Sequence, residues 1–259
     1  MGGGDAGEAC SQYRWRSQPC GTNPVTSMGF RTATAGDADL LRDRGNPAHT
    51  VRRPSRTALT HIIRPGINLA IWQRSVPTAI ANWIQTSSLD GRPLLSSDLD
   101  LKIPAACVPV ALATAIDRPS TSDREGLSAL ASDVGDLAKI LMRIAEQPCV
   151  RVRLEWVTDQ QCSCFHSDRV PYRLVCTYRG EGTEWVTNQT AAKLTSPDSE
   201  PPENEVYRLA SGDVAIMRGS LSVADGTPAL MHRSPPIASA SQARLFLAID
   251  PTASSKSAR

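Results

Sequence analysis

Two histidines and one aspartate give this sequence its clearest metal-binding chemistry. In the segment FHSD, His166 and Asp168 are two positions apart, and on an extended strand residues at that spacing point to the same face. An imidazole nitrogen and a carboxylate oxygen can then reach one ion. Of the four histidines, only His232 has a comparable strand-and-turn setting downstream, because His49 and His61 fall in or beside the N-terminal segment. Together the three residues predict a two-histidine, one-carboxylate metal site.

The residue types leave the identity of the metal open. Two histidines and one carboxylate on one face of an octahedral ion leave three positions free, an arrangement that favours non-haem Fe(II). Cys162 and Cys164 share the strand parity of His166 and Asp168, and thiolate with imidazole ligands favours Zn(II) instead. A β-bulge near Cys162 would change this parity. The sequence therefore leaves Fe(II) and Zn(II) as alternatives.

The elements that must position these residues change character near residue 149. Apolar residues at three- and four-residue spacing predict an amphipathic helix over 122–147, with Ser122 and Glu125 as its capping box. Apolar and charged residues then alternate over 150–156, which predicts a half-buried strand. Further strands are predicted at 162–168, 172–178, 183–186, 206–218, 229–232 and 244–249. Short strands separated by Gly, Pro and polar turns predict an antiparallel barrel or sandwich.

The N-terminal part of the chain carries weaker signals. Residues 1–60 are rich in Gly, Ser, Thr, Arg and Pro without a sustained apolar period, which predicts a flexible leader. A strand is predicted at 67–72, followed by a short helix at 76–85. An irregular stretch at 87–104 precedes a helical segment at 105–116.

These boundaries predict a single folded domain. We expect it to cover residues 61–252, with its barrel core at 149–250 and a disordered tail at 253–259. The run TSPDSEPPENE at 195–205 is acidic and rich in proline, so it is expected to form an exposed loop between barrel strands.

Charge and hydropathy exclude several classes of function. The chain has 28 Lys and Arg against 26 Asp and Glu, and its net charge of +2 gives no broad field that would attract nucleic acid. No apolar run approaches the roughly 20 residues that span a bilayer, and the N-terminus lacks the features of a secretory signal. Seven cysteines, an odd number, suit reduced thiols. We therefore expect a cytoplasmic protein that acts on a small molecule or peptide, without nucleic-acid or membrane partners.

The order of motifs around the predicted site resembles that of the Fe(II)/2-oxoglutarate-dependent oxygenase superfamily. The sequence contains, in order, His166-Ser167-Asp168, Gly182-Thr183, Gly212-Asp213, His232 and Arg244. The resemblance covers about residues 149–250. It implies an α+β fold with an antiparallel double-stranded β-helix, a jelly-roll or cupin-like barrel, and the N-terminal helices packed outside. It also implies a hydroxylase-type oxygenase that uses Fe(II) and 2-oxoglutarate.

The same resemblance implies a cofactor-binding role for Arg244. The superfamily places at this position the cation that holds the distal carboxylate of 2-oxoglutarate, and the fork of a guanidinium suits that contact. Ser234 and Tyr178 are further candidates for hydroxyl contacts with the same carboxylate. Arg173, Arg179 and Arg233 could bind an anionic substrate group, or they could simply pair with carboxylates such as Glu181 or Asp168.

More narrowly, the elements CxxFHxD, RLxxTYxGxGTxW and HRSPP are similar to an uncharacterised bacterial family, a domain of unknown function. That resemblance implies no activity. The alternative to an oxygenase is a metal-binding protein of the same fold, with Zn(II) as its ligand and a role in metal homeostasis. A cupin-type enzyme that uses the metal without 2-oxoglutarate is a third possibility.

Overall fold

Two β-sheets and a set of helices form an α+β fold in the residues that the computed structural model describes, which are 47–88, 99–115, 124–196, 199–222, 226–237 and 242–252. The strands are β1 (Thr50–Arg53), β2 (Leu69–Trp72), β3 (Leu99–Pro104), β4 (Cys149–Val157), β5 (Tyr172–Arg179), β6 (Glu184–Val186), β7 (Val206–Arg208), β8 (Val214–Arg218), β9 (His232–Arg233) and β10 (Arg244–Thr252). The helices are α1 (Thr78–Ser88), α2 (Val108–Ala115), α3 (Arg124–Ala145) and the single turn α4 (Asn188–Ala191).

The strands form a double-stranded β-helix. The larger sheet has the order β1-β2-β8-β5-β10-β4-β3, and the smaller sheet has the order β7-β6-β9. All neighbouring strands are antiparallel except β1 and β2. From β4 onward the chain crosses repeatedly between the sheets, and an isolated antiparallel bridge from His166 to His232 extends the smaller one. The predicted fold class is therefore confirmed.

The helices cover one face of the larger sheet. Leu245, Leu247 and Ile249 of β10 belong to a fully buried apolar cluster that includes Leu130 and Leu137 of α3. The long helix buries this stripe because its apolar residues recur every three or four positions. The described helices thus pack outside the barrel, as predicted. None of them is both long and apolar enough to cross a membrane.

An ion pair ties α3 to this sheet. Arg74 donates two hydrogen bonds to the carboxylate of Asp133, at 2.6 and 2.7 Å, and the hydroxyl of Tyr178 donates a third at 2.6 Å. All three side chains are largely buried. Because bidentate guanidinium-carboxylate pairs are directional, this contact fixes the helix against β5.

The opposite face of the larger sheet looks toward the smaller sheet. A second buried cluster lies between them, with Val175 and Ala248 from the larger sheet and Trp185 from the smaller one. Trp185 stacks on Tyr207 with ring centroids 4.5 Å apart. The even-numbered residues of β10 lie on this face, since side chains alternate along a strand.

Residues 50–60 were expected within a flexible leader, but they are folded. They form β1 and most of a 3-10 helix (Arg56–Ile63), and Leu59 and Ile62 of that helix are fully buried. A few apolar side chains in a polar segment were enough to anchor it to the core. Residues 1–46 and the expected tail at 253–259 lie outside the described residues, as does the capping residue Ser122.

Three strand predictions also change. The segment 162–168 is not a strand, because only His166 makes a bridge there. The predicted strand at 206–218 is divided into β7 and β8 by a turn at Gly212, whose φ of +90° favours glycine. A Cβ atom at that position would lie 2.6 Å from the backbone nitrogen of Val76. Finally, β3 occupies the end of the stretch at 87–104 that was expected to be irregular.

The packing of α3 on α1 gives a testable prediction. Helix propensity alone favours Gly126→Ala by about 1 kcal/mol, but the added methyl group would overlap the Cβ atom of Trp83. Overpacking in a core costs about 1–3 kcal/mol, so we expect a net loss in the free energy of unfolding measured by urea denaturation. Ser132→Ala, at an exposed position of the same helix, serves as the control. A gain in stability for Gly126→Ala would contradict this packing.

Candidate metal centre

His166, Asp168 and His232 form a compact group of potential metal ligands. One ligand atom from each of the three residues lies within 4.8 Å of the others, and no other group of three or more His, Cys, Asp or Glu side chains meets this condition within the described ranges. The imidazole rings have centroids 4.7 Å apart. The structure therefore brings together the three residues that the sequence singled out.

Backbone pairing places the two histidines side by side. The amide nitrogen of His166 donates to the carbonyl of His232 at 3.0 Å, and the reverse hydrogen bond is 2.9 Å long. Residues opposite each other in an antiparallel bridge project from the same face. Both imidazoles consequently point into the space between the sheets.

Hydrogen bonds at the far nitrogen orient both rings. Nδ1 of His166 lies 3.0 Å from the carbonyl oxygen of Cys164, and Nδ1 of His232 lies 3.3 Å from that of Leu230. A carbonyl oxygen only accepts, so in each ring Nδ1 carries the donated proton. This leaves the Nε2 lone pair of a neutral ring available for a metal ion, as in many histidine metal sites.

His232 and Asp168 place two potential metal-ligand atoms opposite each other. Nε2 of His232 lies 3.2 Å from Oδ2 of Asp168, and this buried oxygen has no properly oriented hydrogen-bond donor among the described residues. With the proton of the neutral imidazole on Nδ1, two lone pairs face each other here. Either a second proton on the ring or a metal ion would satisfy both atoms, so the donor set fits a divalent metal.

Arg173 fixes the other oxygen of Asp168. Its Nη1 donates to Oδ1 of Asp168 at 2.5 Å, while Nε and Nη2 donate to the two oxygens of Asp250 at 2.6 and 2.8 Å. These three side chains are at most 17% exposed. Because Oδ1 is held by the guanidinium, Oδ2 is the oxygen presented to the histidines.

The surroundings of Asp168 and His166 favour the protonation states that bind metal ions. Burial opposes ionisation of Asp168, but its contact with His232 and the positive charge of Arg173 outweigh burial and lower its pKa to about 2. Burial, reinforced by the neighbouring His232 ring, lowers the pKa of His166. A carboxylate and a neutral imidazole are the forms that coordinate metal ions.

A cavity of about 80 Å³ opens beside the two histidines. Its walls combine apolar and polar side chains. The apolar lining residues include Val175, Met217 and Phe246. The polar or charged ones include Arg153, Glu155, Arg173, Arg233 and Ser234. The cavity is smaller than a typical ligand pocket, but its mixture of apolar and polar lining residues resembles the lining of such a site.

Arg244 lies near this cavity but does not line it. It is 1% exposed, and its guanidinium carbon lies 4.9 Å from the ring centroid of Phe246, which does line the cavity. Nη2 donates to the hydroxyl of Thr177 at 3.3 Å, and Nε has no partner among the described residues. Burial lowers its pKa to about 10. Glu155, Glu181 and Glu184 act on this cation electrostatically, but none of them forms an ion pair with it in the part of the chain that the structure describes.

The structure separates the two hydroxyl residues that were expected near Arg244. Ser234 lines the cavity, and its amide donates to the carbonyl of Cys162 at 3.0 Å. Tyr178 lies on the opposite face of the sheet, in the core beneath α3, and donates to Asp133. The structure therefore does not bring Tyr178 to this cavity.

The two candidate cysteines do not join the ligand group. Cys162 is exposed and lines the cavity, whereas Cys164 is partly buried and contributes its carbonyl oxygen to His166. The parity argument for a shared thiolate face assumed a regular strand. That strand is replaced by a single bridge at His166, so the regular alternation is lost.

Sequence reasoning missed two buried carboxylates near the site. Asp250 holds Arg173, and Glu184 accepts hydrogen bonds from both Arg233 and Arg208. Their partners lie far along the chain, so no local motif marks them. The signal available was an acidic residue within an otherwise apolar strand, as in LFLAID.

A comparison with known families identifies the family of this chain. The profile of a family described as "Protein of unknown function (DUF1826)" matches residues 54–250, which confirms the expected resemblance to a family of unknown function. No curated protein gives a match to this sequence.

Several solved structures show a distant similarity to this chain. Dioxygenase for auxin oxidation 1 from Arabidopsis thaliana, in a complex with 2-oxoglutarate, is 14% identical with a TM-score of 0.48 over 80% of this chain and 93% of that one. The corresponding rice dioxygenase is 14% identical with a TM-score of 0.44, covering 72% and 74%. A prolyl-4-hydroxylase from Pseudomonas putida is 10% identical with a TM-score of 0.39, covering 76% and 97%. These values establish neither activity nor cofactor for this chain.

The contact between Arg173 and Asp168 gives a second prediction. We expect Arg173→Met to weaken Mn(II) or Zn(II) binding by roughly 10- to 100-fold, because residues that orient metal ligands have effects of this size. Isothermal titration calorimetry measures the affinity. Arg151→Met is the matched control, since Arg151 lies on the same sheet face and pairs only with the more exposed Asp100 among the contacts described. Equal affinities in the two variants would show that Arg173 does not orient Asp168.

The pKa of His166 gives a third prediction. In the metal-free protein an NMR titration of its imidazole is expected to yield a pKa below 6.5, because burial and the neighbouring ring of His232 both disfavour the charged form. Replacing His232 with Gln removes the second effect and should raise the pKa toward 6.5. A value at or above 6.5 in the unsubstituted protein would contradict the described burial.

Proposed function

This chain belongs to the DUF1826 family of proteins of unknown function, and from its site we propose that it is an Fe(II)- and 2-oxoglutarate-dependent oxygenase. The observation that carries the proposal is the buried guanidinium of Arg244, which has no ion pair among the described residues and lies against Phe246, a residue of the cavity wall beside the His-Asp-His group. A dicarboxylate that bridges this cation and a metal ion would satisfy both.

The metal ligands support iron chemistry. His166, Asp168 and His232 would hold the ion through two Nε2 atoms and one carboxylate oxygen. Such a set leaves three coordination positions open, which is the number needed for a chelating co-substrate and O₂. Bound iron would supply the oxidative decarboxylation of 2-oxoglutarate to succinate and CO₂, coupled to oxidation of a substrate.

The remaining residues of the site bind, orient and exclude water. Arg173 holds one oxygen of Asp168, so the other oxygen keeps its direction. Val175, Met217 and Phe246 present apolar surface beside the histidines, and an apolar wall limits access of water to the open coordination positions. Arg244, assisted by the hydroxyl of Thr177, would bind the distal carboxylate of 2-oxoglutarate through its planar fork.

Anaerobic binding measurements test the proposal directly. The full chain loaded with Fe(II) is titrated with 2-oxoglutarate by calorimetry, and succinate is quantified after O₂ is admitted. We expect metal-dependent binding and succinate formation, both of which His166→Ala should abolish. Tight Zn(II) binding without any binding of 2-oxoglutarate would instead favour the alternative, a zinc-binding protein of this fold without oxygenase activity.

Substitutions of Arg244 provide a fourth prediction. The affinity for 2-oxoglutarate should fall, whereas the stability of the protein should not. Arg244→Met removes a buried cation that has no ion pair among the described residues, so the free energy of unfolding of the metal-free protein should stay unchanged or rise. Affinity for 2-oxoglutarate should fall by at least roughly tenfold, which corresponds to one charge-assisted hydrogen bond. Arg244→Lys keeps the charge but loses the fork, and its affinity should be intermediate.

The opposite result for Arg244 would also be informative. If Arg244→Met destabilised the protein strongly and left the affinity for 2-oxoglutarate unchanged, the arginine would be a structural residue. A cupin-type enzyme that does not use 2-oxoglutarate would then be the better interpretation. The cytoplasmic location, the class of substrate and the exclusion of nucleic-acid partners stay predictions from the sequence.

A further inference from the structure

We propose that Arg153 anchors the carboxylate of an anionic substrate in the cavity beside the metal ligands. This inference rests on the proposed oxygenase function, because it assigns the substrate class of the same site. The guanidinium groups around the cavity differ in how many of their N–H donors form hydrogen bonds.

Two of the three cavity arginines are committed to carboxylates. Arg173 uses Nε, Nη1 and Nη2 on Asp168 and Asp250. Arg233 donates to Glu184 and Glu200, and its guanidinium lies over the ring of Phe165 at 4.4 Å. Neither is available to a ligand without breaking a short ion pair.

Arg153 is paired more weakly. Its Nη1 forms an ion pair with Oε1 of Glu155 at 3.4 Å, near the limit for a hydrogen bond, and no other hydrogen bond of its guanidinium is found among the described residues. The side chain is 24% exposed and lines the cavity. Its cross-strand neighbours are Ala248 of β10, a small residue, and Asp100 of β3, whose carboxylate is held by Arg151. A planar fork with unused donors at a cavity wall is suited to bind a carboxylate through two hydrogen bonds.

The other walls define the rest of the ligand. Val175, Met217 and Phe246 line the same cavity, so a short apolar body can pack there while its carboxylate contacts Arg153. Arg244 is separate from this group, because it is 1% exposed and does not line the cavity. Two carboxylate positions follow, with the co-substrate at Arg244 and the substrate at Arg153.

The test uses butyrate and its neutral isostere butyramide as probes of the full chain. Saturation-transfer NMR measures the dissociation constant of each probe in the presence of Zn(II) and 2-oxoglutarate, so that turnover is absent. We expect butyrate to bind about tenfold more tightly than butyramide, the effect of one charge-assisted hydrogen bond. Arg153→Gln should remove this preference, and Arg153→Lys should retain part of it because the charge stays.

Arg151→Gln is the matched control. Arg151 lies two residues away on the same face of β4, does not line the cavity and is paired with Asp100. The preference for butyrate should persist in this variant. Thermal unfolding of all variants verifies that each is folded. If Arg153→Gln does not fold, the preference for butyrate is compared between Arg153→Lys and the unsubstituted protein.

The outcomes distinguish this inference from the proposed function. Equal binding of the two probes to the unsubstituted protein, or an unchanged preference in Arg153→Gln, would overturn the role of Arg153 while binding of 2-oxoglutarate still supports an oxygenase. Loss of 2-oxoglutarate binding in Arg153→Gln would place Arg153 in the co-substrate site and would likewise overturn the inference. Failure of 2-oxoglutarate to bind the unsubstituted protein would count against the oxygenase itself.

Discussion

The paired backbone hydrogen bonds between His166 and His232 determine the geometry of the candidate centre. They join a segment with little regular structure to a strand of only two residues. Because both side chains project from the same face of that bridge, the imidazoles meet without any further constraint. Asp168 follows two residues later, and Arg173 at the start of the next strand holds it. The ligand group thus depends on the correct pairing of the smaller sheet.

The interior between the sheets is unusually rich in charge, and the structure separates it from the main apolar core. The helix-side face of the larger sheet carries the extensive cluster that includes Leu130, Leu247 and Ile249. The site-side face carries Arg173, Asp250 and other ionised groups, which are costly to bury unless paired. A large apolar core on one face therefore supports a polar, chemically useful surface on the other.

Much of this arrangement could be predicted from local periodicity. The alternation in β4, the three- and four-residue spacing in α3 and the unusual FHSD segment each indicate structure or chemistry directly. The rest depends on contacts between distant residues. Whether Tyr178 faces the cavity or α3 depends on strand register, and the hold of Asp250 on Arg173 spans 77 positions. The folding of residues 50–60 was missed because burial of Leu59 depends on tertiary packing rather than composition.

Strand β10 illustrates how tightly the fold links packing and chemistry. Its odd-numbered side chains complete the helix-side core, and its even-numbered ones include Arg244, Phe246 and Asp250. A substitution at one of the even positions can alter the site while the core stays intact. An insertion or deletion of one residue would exchange the two faces. During divergence of related sequences, this strand can therefore change its chemistry by point replacement, whereas its length must be conserved.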